Sequence, residues 1–422
     1  MTNNFTLRVL FCALFSLPIL FNSCIKDSCQ QKSTYKIFTP VFKDMDEVRA
    51  DIKSNAPREV QNAGKIYIRG NYIFLNDIDR GIHVIDNSDP SAPKNVSFIG
   101  IPGNMDLAVK GNMLYADFYT ELITLDISNP LDVRLSSYRP QSFPVRPYLN
   151  GFIAAADKII VDWTVQDSVV MNACDVPNDR IVYEYMQNLN SGTNVAAVSP
   201  IGAGGSMARF TIINDRLYTV SQNSLEILDI SNPGTPTHTN KVTLPWGIET
   251  IFPMGAQLFI GSQSGMFRYD VSTPDAPVSL GQFSHARTCD PVIADDKYAY
   301  VTLRSGSSCA GYTNQLDIID LKITNPNVPM QLLVTHPMTN PHGLGKDGDL
   351  LFLCDGVAGL KVFDVSDIYR LKPLKTFTMD AYDVIAYNNR ALVVAKGGLY
   401  QYDYSDKSNI RQLSKITINT KP

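Results

Sequence analysis

Charge and histidine are scarce in this sequence of 422 residues. Only 18% of the residues are charged, five are histidine, two are tryptophan, and the formal net charge is −4. No basic stripe is present, so the electrostatic footprint of a nucleic-acid-binding protein is missing. The sequence also lacks a Gly-x-Ser-x-Gly elbow, a His-Glu-x-x-His helix, a phosphate loop and an EF-hand loop. We therefore expect no cofactor, and the scattered histidines predict no metal site.

Long apolar runs are also missing, except near the N-terminus. Arg8 precedes the apolar stretch Val9–Phe21, which is too short to span a bilayer but has the length of a secretory signal core. Ser23-Cys24 follows, and a cysteine after a small residue at this place resembles a bacterial lipoprotein signal. This resemblance implies that residues 1–23 are removed and that Cys24 is acylated, which would anchor the protein to a membrane. An ordinary secretory signal is the alternative.

Glycine and proline are plentiful and evenly spread, and many of them belong to one repeated turn. The run Leu-Asp-Ile-Ser-Asn-Pro occurs at Leu125–Pro130 and again at Leu228–Pro233. Each copy follows an alternating apolar run, which is typical of a strand. The aspartate and serine can cap backbone N–H groups where the strand ends, and proline prevents the ladder from continuing. Seven related copies begin at Asp86, Asp126, Asp229, Asp270, Asp320, Asp364 and Asp403.

A second element recurs in phase with this turn. It consists of two strand-like runs joined by a short turn, such as Gly70-Asn71 or Asn388-Asn389, whose residues tolerate the positive φ of tight hairpins. Eight such units begin at Ile66, Asp106, Gly151, Arg209, Thr250, Asp290, Gly343 and Asp383. A period near 40 residues with about four strands per unit is typical of a propeller blade.

These repeats predict an all-β fold, a single β-propeller of four-stranded blades. We expect eight blades, and seven is the alternative, because the unit at Gly151–Trp163 lacks the Asp-x-Ser strand. The run Gly359–Asp367, with its siblings, resembles the LVIVD-repeat β-propellers of bacterial cell-envelope and exported proteins, of a Bacteroidetes-like lipoprotein type. The predicted organisation is a signal peptide at 1–23, an N-terminal tether and lead-in segment at 24–62, and the propeller at 63–422.

The lead-in segment contains two further predicted elements. Tyr35–Phe42 has the pattern of a strand, and Lys43–Ile52 has the pattern of a short helix. Propellers usually close by pairing a strand from one terminus with the other, and Tyr35–Phe42 is the candidate closing strand. Leu413–Ile418 already supplies the fourth strand of the last blade.

One face of the predicted disc carries the longer connections, which favours it as the binding face. Its loops hold cations, imidazoles and carboxylates that could recognise an anionic or sugar ligand at the central channel. The candidate ligand-binding residues are Arg287, Arg304, His285, His342, Asp355, Asp77 and Asp117. The alternative interpretation is that these loops are polar because they are solvated.

Cys289 and Cys309 fall on this same face within one unit. A disulfide between them would close a loop of about 19 residues and contribute roughly 3 kcal/mol. Five cysteines would remain after export and acylation of Cys24, so at least one thiol is unpaired or pairs between chains. Cys354 ends an apolar strand, and we expect it to be a buried thiol.

The sequence therefore predicts an exported, membrane-anchored propeller that acts as a non-enzymatic binding or scaffold lipoprotein of the bacterial envelope. Its expected partners are the membrane, through the lipid anchor, and a protein or glycan ligand at the loop-rich face. The expected location is the outer membrane, facing either the periplasm or the surface. The alternative is an envelope enzyme of hydrolase or lyase type, with a site at the channel mouth around Arg287, Arg304 and His342.

Overall fold

Seven of the eight predicted hairpins form, and each is the first half of a four-stranded antiparallel sheet. The computed structural model describes residues 30–148, 151–173, 205–285, 291–305 and 313–418. The seven sheets are the blades of a propeller, numbered here 1 to 7 in chain order. Within each blade the four strands follow one another as a meander, so neighbours in the chain are neighbours in the sheet.

The bounds of the strands show how regular the first four blades are. Blade 1 contains β3 (Ala63–Arg69), β4 (Tyr72–Asp77), β5 (Gly81–Asp86) and β6 (Lys94–Gly100), with β2 (Ser54–Asn55) added outside β6. Blade 2 contains β7 (Leu107–Lys110), β8 (Met113–Phe118), β9 (Glu121–Asp126) and β10 (Arg134–Arg139). Blade 3 contains β12 (Phe210–Ile213), β13 (Arg216–Ser221), β14 (Ser224–Asp229) and β15 (Thr237–Thr243). Blade 4 contains β16 (Ile248–Met254), β17 (Gln257–Ser262), β18 (Gly265–Asp270) and β19 (Val278–Ser284).

The remaining three blades follow the same plan. Blade 5 contains β20 (Val292–Ala294), β21 (Tyr298–Leu303), β22 (Gln315–Asp320) and β23 (Leu332–Pro337). Blade 6 contains β24 (Leu344–Asp347), β25 (Leu350–Cys354), β26 (Leu360–Asp364) and β27 (Lys372–Phe377). Blade 7 contains β28 (Ala381–Tyr387), β29 (Arg390–Ala395), β30 (Gly398–Asp403) and β31 (Arg411–Thr417), so the strand predicted at Leu413–Ile418 is confirmed.

The prediction of eight blades is wrong, because the unit at Gly151–Trp163 is not a hairpin. Its strand-forming run continues without a turn through a stretch rich in β-branched residues and becomes one long strand, β11 (Lys158–Ala173). The partner of β11 is the N-terminal strand β1 (Gln30–Asp44), and the two form a separate two-stranded sheet. The period was therefore interrupted by an insertion between blades 2 and 3.

The lead-in segment has the predicted elements but not the predicted role. Tyr35–Phe42 lies inside β1, and a helix, α1 (Met45–Ala50), follows it as expected. Because β1 pairs with β11, it does not close the ring, and that prediction is wrong. The contacts divide the chain into two compact units, Met1–Thr39 with Trp163–Thr193 and Pro40–Asp162 with Asn194–Pro422. The second unit contains the propeller.

The ring closes through side-chain packing between blade 7 and blade 1. Their shared core contains Ile66, Ile73 and Leu75 from blade 1 and Leu392 and Val394 from blade 7, all at most 2% exposed. Similar cores join blades 2 and 3, 3 and 4, 4 and 5, 5 and 6, and 6 and 7. Each large aliphatic side chain buried in this way contributes about 1.5–3 kcal/mol. A blade buries both of its faces only because it has two neighbours.

A buried ion pair attaches the lead-in segment to blade 2. Arg49 of α1 donates two hydrogen bonds to the Glu121 carboxylate, at 2.7 Å from Nε and 2.6 Å from Nη2. The guanidinium also lies 3.9 Å from the centre of the Tyr138 ring. Nearby, the Val133 N–H donates to Ser54 Oγ at 3.0 Å. The segment therefore bridges blades 1 and 2, since β2 already pairs with blade 1.

The meander produces two faces with different kinds of connection. One face carries the turns that join the first strand to the second and the third strand to the fourth, and we call it the turn face. The opposite face carries the loops between second and third strands and the links between blades, and we call it the connection face. Every blade has the predicted aspartate on its turn face, where Oδ1 accepts the N–H of the residue two positions later at 2.7–3.0 Å. The prediction of seven equivalent strand-ending turns is confirmed.

Candidate functional site

The three predicted aspartates of the connection face hold the backbone of their own blades. Asp77 Oδ1 accepts the N–H of Asn62 at 2.8 Å, just before the first strand of blade 1. Asp355 is fully buried and accepts N–H groups from Thr339 and Asn340 at 2.7–3.1 Å, as well as the Lys361 ammonium at 2.6 Å. These carboxylates cap the links between blades, so their oxygens are already engaged. A role in ligand binding stays a prediction for each of them.

Asp117 has the same position in blade 2 but a less favourable electrostatic setting. Its Oδ1 accepts the N–H groups of Met105 and Asp106 and the side-chain amide of Asn104, all at 2.8–2.9 Å. Burial raises the pKa of Asp117 to about 6, although these hydrogen bonds and nearby Arg146 oppose the shift. The carboxyl group is therefore held close to its neutral form in slightly acidic solution.

The centre of the connection face is occupied by the chain itself. A single 3₁₀ turn at Gly205–Met207 precedes blade 3 and lies against the first strands of blades 1, 4, 5, 6 and 7. Ser206 is buried there and its Oγ accepts the N–H of Leu344 at 2.9 Å. The buried carboxyl of Asp383 lies 3.4 Å from the same hydroxyl, and burial raises the pKa of Asp383 well above its usual range. A ligand on this face therefore meets a floor formed by Ser206, not an open channel.

The predicted residues Arg304 and His342 approach the same place from neighbouring blades. Thr302 Oγ donates to the His342 carbonyl at 2.7 Å, and Arg304 lies two residues beyond Thr302. Side chains two positions apart in extended chain share a face, so Arg304 is directed toward the start of blade 6. The positive charge of Arg304 acts on the imidazole, and together with the larger effect of burial it lowers the pKa of His342 to about 4.

Both side chains keep unused hydrogen-bonding capacity. The Arg304 guanidinium makes no hydrogen bond or ion pair with any residue that the structure describes. Burial lowers the pKa of Arg304. His342 is only 8% exposed, and its Nδ1 is a buried ring nitrogen for which the described part of the chain offers no partner. A buried polar atom without a partner is costly, and such atoms are uncommon in folded proteins. The pair therefore points to a ligand.

Two further charged residues, missed by the sequence analysis, extend this pair around the inner rim. Arg209 precedes the first strand of blade 3, and Glu249 lies on the first strand of blade 4. Glu249 accepts a hydrogen bond from Gln263 Nε2 at 3.1 Å, and its charge counters the burial that lowers the pKa of both Arg209 and Arg304. We call the set Arg209, Glu249, Arg304 and His342 the rim arc. The sequence signal that could have identified Arg209 and Glu249 is a charged residue at the start of an otherwise apolar first strand.

Several other charges of this face form ion pairs. Arg146 forms an ion pair with Asp79 at 2.7 Å and donates to the Gly103 carbonyl at 2.6 Å. Lys65 and Asp106 form a buried pair at 2.9 Å, and Lys65 also donates to the Phe210 carbonyl. These contacts tie blades 1, 2 and 3 together.

Several predicted residues lie outside the described ranges, namely Arg287, Cys24, Cys289 and Cys309. His285 is described and lies 5.9 Å from the Phe283 ring, between ring centres. Cys354 is a free, fully buried thiol, as expected, and burial raises its pKa. Within residues 30–418, excluding the gaps, no group of three or more His, Cys, Asp or Glu side chains is arranged to hold a metal ion. No helix in the described part of the chain is long and apolar enough to cross a membrane.

Comparison with known proteins identifies the repeat and the fold. A family model described as the LVIVD repeat matches residues 61–98, 103–137 and 208–243, which lie in blades 1, 2 and 3. No curated protein matches the sequence. The solved structures with similar folds include the computationally designed Ika8 protein, at 10% identity, a TM-score of 0.51 and coverage of 86% of this chain and 91% of that one.

A protein from Lactobacillus plantarum is similar at 12% identity and a TM-score of 0.51, with 77% of this chain and 86% of that chain covered. A candidate 6-phosphogluconolactonase from Bacteroides fragilis NCTC 9343 is similar at 10% identity and a TM-score of 0.51, with 87% and 96% covered. At these identities the likeness concerns the fold alone. The chain is thus a seven-bladed β-propeller that contains LVIVD repeats.

Proposed function

We propose that this protein is a non-catalytic binding lipoprotein of the bacterial envelope that captures a ligand with an anionic group at the rim arc. The observation that carries the proposal is the state of Arg304, a half-buried guanidinium without a hydrogen-bond or ion-pair partner among the described residues, together with the unpartnered Nδ1 of His342. A guanidinium presents a planar fork of donors that matches a carboxylate or a phosphate. The floor at Ser206 limits the ligand to the mouth of the connection face.

A calorimetric titration tests this role of Arg304. The purified full chain, solubilised in detergent, is titrated with citrate and with inorganic sulfate at constant ionic strength, and glucose serves as the uncharged probe. We expect Arg304→Ala to weaken citrate binding about tenfold or more, because a charge-assisted hydrogen bond is lost. Arg304→Lys should bind citrate with an affinity between those of the unaltered protein and Arg304→Ala, since lysine keeps the charge but lacks the planar fork of donors.

Arg390→Ala is the matched control, because Arg390 is an exposed arginine of the turn face. It should bind citrate as the unaltered protein does. Equal citrate affinity in Arg304→Ala and Arg390→Ala would refute an anion site at the rim arc. Glucose binding as tight as citrate binding would also contradict it.

The lipid anchor at Cys24 is a separate part of the proposal, supported by the apolar run and the small residue that precede this cysteine. Cells that produce the protein should incorporate labelled palmitate into it and retain it in the membrane fraction. Cys24→Ser should abolish the label and release the protein, with Cys354→Ser as the control cysteine. Label that persists in Cys24→Ser would exclude this anchor.

A further inference from the structure

The two-stranded sheet of β1 and β11 leaves both of its faces open to solvent. Residues 36–39 of β1 are all exposed, and so are residues 164–167 of β11. The two stretches lie side by side, because Thr164 Oγ1 donates to the Thr39 carbonyl at 3.4 Å. Successive residues of a strand point to opposite faces of the sheet, so four exposed residues in a row mean that neither face is covered. In β10, the outermost strand of blade 2, exposed and half-buried residues alternate instead.

Large apolar side chains occupy exposed positions on both strands of this sheet. They are 37–53% exposed, and we call them the ribbon patch: Ile37, Phe38, Val165 and Val169. Ile37 and Phe38 are consecutive in β1, so they lie on opposite faces of the sheet. A two-stranded sheet is marginally stable by itself in water, and exposed apolar patches mark sites of interaction with a protein or a membrane. The ribbon patch therefore calls for an apolar partner that reaches both faces.

The backbone of this sheet narrows the choice of partner. Among the described strands, β1 and β11 pair only with each other, so the outer edge of each carries N–H and C=O groups without a strand partner. Such groups are costly in hydrocarbon, where nothing can bond to them, but lipid headgroups and interfacial water can. The interfacial region of a bilayer offers an apolar layer and polar groups together, and it surrounds an inserted sheet. A second copy of the chain would cover one face or one edge.

The N-terminal chain keeps this sheet close to a bilayer. Cys24, the proposed site of the lipid anchor, lies six residues before Gln30, where β1 begins. Six residues of extended chain span about 22 Å at most, so β1 begins within that distance of the acylated residue. A short tether gives a second binding event a high effective concentration, and weak apolar contacts then suffice.

We infer that the ribbon patch inserts into the interfacial region of the membrane that carries the lipid anchor. This inference rests on the anchor of the proposed function and goes beyond it, since the anchor alone fixes only the N-terminal residue to the bilayer. Lys36 is exposed next to Ile37 and can place its apolar stem along the acyl chains while its ammonium stays among the headgroups. The protein thus contacts the bilayer at two places.

Trp163 can report the position of the sheet, because it lies two residues before Val165 in β11. The chain has two tryptophans, so Trp246→Phe leaves Trp163 as the reporter. This form of the full chain is incorporated into phosphatidylcholine vesicles with ordinary or brominated acyl chains, and flotation measures the bound protein. Bromine quenches tryptophan only at short range. We expect brominated vesicles to lower the emission about twofold, because an interfacial sheet reaches the start of the acyl chains.

Removing the apolar character of the patch should abolish this quenching. Val165→Asp with Val169→Asp should restore the emission in brominated vesicles, because a carboxylate is costly in an apolar layer. The matched control is Val278→Asp with Val357→Asp, which adds the same charge at valines that are 60% and 71% exposed and lie outside the two-stranded sheet. It should be quenched as the unaltered protein is.

Phe38→Asp, on the other strand, is the second variant, and it should also weaken the quenching. Circular dichroism checks that each variant keeps the fold. All variants should still float with the vesicles, since the lipid anchor is unchanged. Flotation therefore tests the anchor, and quenching tests the sheet.

Protein that floats without quenching overturns the inference and leaves the lipid anchor standing, as does equal quenching in the two valine pairs. Quenching without incorporation of labelled palmitate supports the sheet and contradicts the anchor. Protein that does not float at all contradicts both. A dimer in sedimentation that only Val165→Asp with Val169→Asp dissociates, together with unquenched Trp163, overturns the inference and assigns the ribbon patch to a second copy of the chain.

Discussion

The two faces of this propeller use aspartate in opposite ways. On the turn face, seven half-buried aspartates make the same short contact to the N–H two residues later, once per blade. On the connection face, Asp77, Asp117 and Asp355 are buried and reach across to the link that enters their own blade. Blades 3 and 4 end their second strand in a serine instead, Ser221 and Ser262. The turn face therefore repeats one structural contact in every blade, whereas the residues that cap the connection face differ from blade to blade.

The comparison of Asp403 with Asp117 shows that position, not residue type, decides the protonation of a carboxyl group. The hydroxyl and the N–H of Ser405, with Arg411 nearby, lower the pKa of Asp403 on the turn face to about 2. Burial raises the pKa of Asp117 on the connection face to about 6. The same side chain is therefore stabilised as an anion on one face and as a neutral acid on the other.

The largest expected effect comes from removing a buried cap of the connection face. Asp355→Ala should lower the free energy of unfolding by about 3 kcal/mol, because two backbone N–H groups and the Lys361 ammonium lose their acceptor. Denaturant unfolding measures the change. Asp364→Ala, in the turn face of the same blade, should cost much less, since its N–H partner remains exposed to water. Equal losses would show that the two faces do not differ.

The next effect concerns the pH dependence of stability. A carboxyl group with a higher pKa in the folded than in the unfolded chain makes the folded state lose stability as pH rises from about 4 through about 6. Asp117→Asn keeps an oxygen for the same N–H donors and removes this loss, so its advantage should grow with pH to on the order of 2 kcal/mol at pH 7. Unfolding midpoints at pH 4, 5, 6 and 7 measure it. An advantage that is constant with pH would contradict the assignment.

The smallest effect should appear at the acid end, on the turn face. Because the pKa of Asp403 is lowered in the folded chain, its contribution is present above about pH 4 and is lost as pH falls toward about 2. Asp403→Asn should make the acid limb of the stability profile slightly shallower and leave its shape above pH 5 unchanged. Thermal unfolding between pH 2 and 5 is the measurement. A change confined to neutral pH would show that the turn acts otherwise.

The regular part of the fold could be predicted because it depends on short-range rules. Positive φ at Gly70 and Asn388, and the Asp-to-Ser capping contact, are decided within a few residues of chain. The prediction of an eighth blade failed at the unit Gly151–Trp163, because strand periodicity does not identify the partner strand. Residues 158–163 do form a strand, but its partner is β1, more than a hundred residues earlier.

The candidate site was predicted in part. Arg304 and His342 were found because loop residues of one face were grouped by topology, and the structure brings them close together. The same reasoning could not tell that Asp77 and Asp355 are occupied by backbone N–H groups, since hydrogen-bond partners are set by the path of the links between blades. Arg209 and Glu249 were missed because they lie at the start of first strands, Arg209 directly before β12 and Glu249 within β16, and not in the loops that were grouped.

The sequence alone determined the blade, its tight turns and the number of Asp-x-Ser strands, because these depend on backbone geometry and hydrogen bonds between near neighbours. Only the tertiary structure decided that there are seven blades, that Ser206 lies at the centre of the connection face, and that Arg304 has no hydrogen-bond or ion-pair partner among the residues that the structure describes. Those outcomes depend on which distant segments meet when the ring closes, and on the burial that results. Neither can be derived from spacing along the chain.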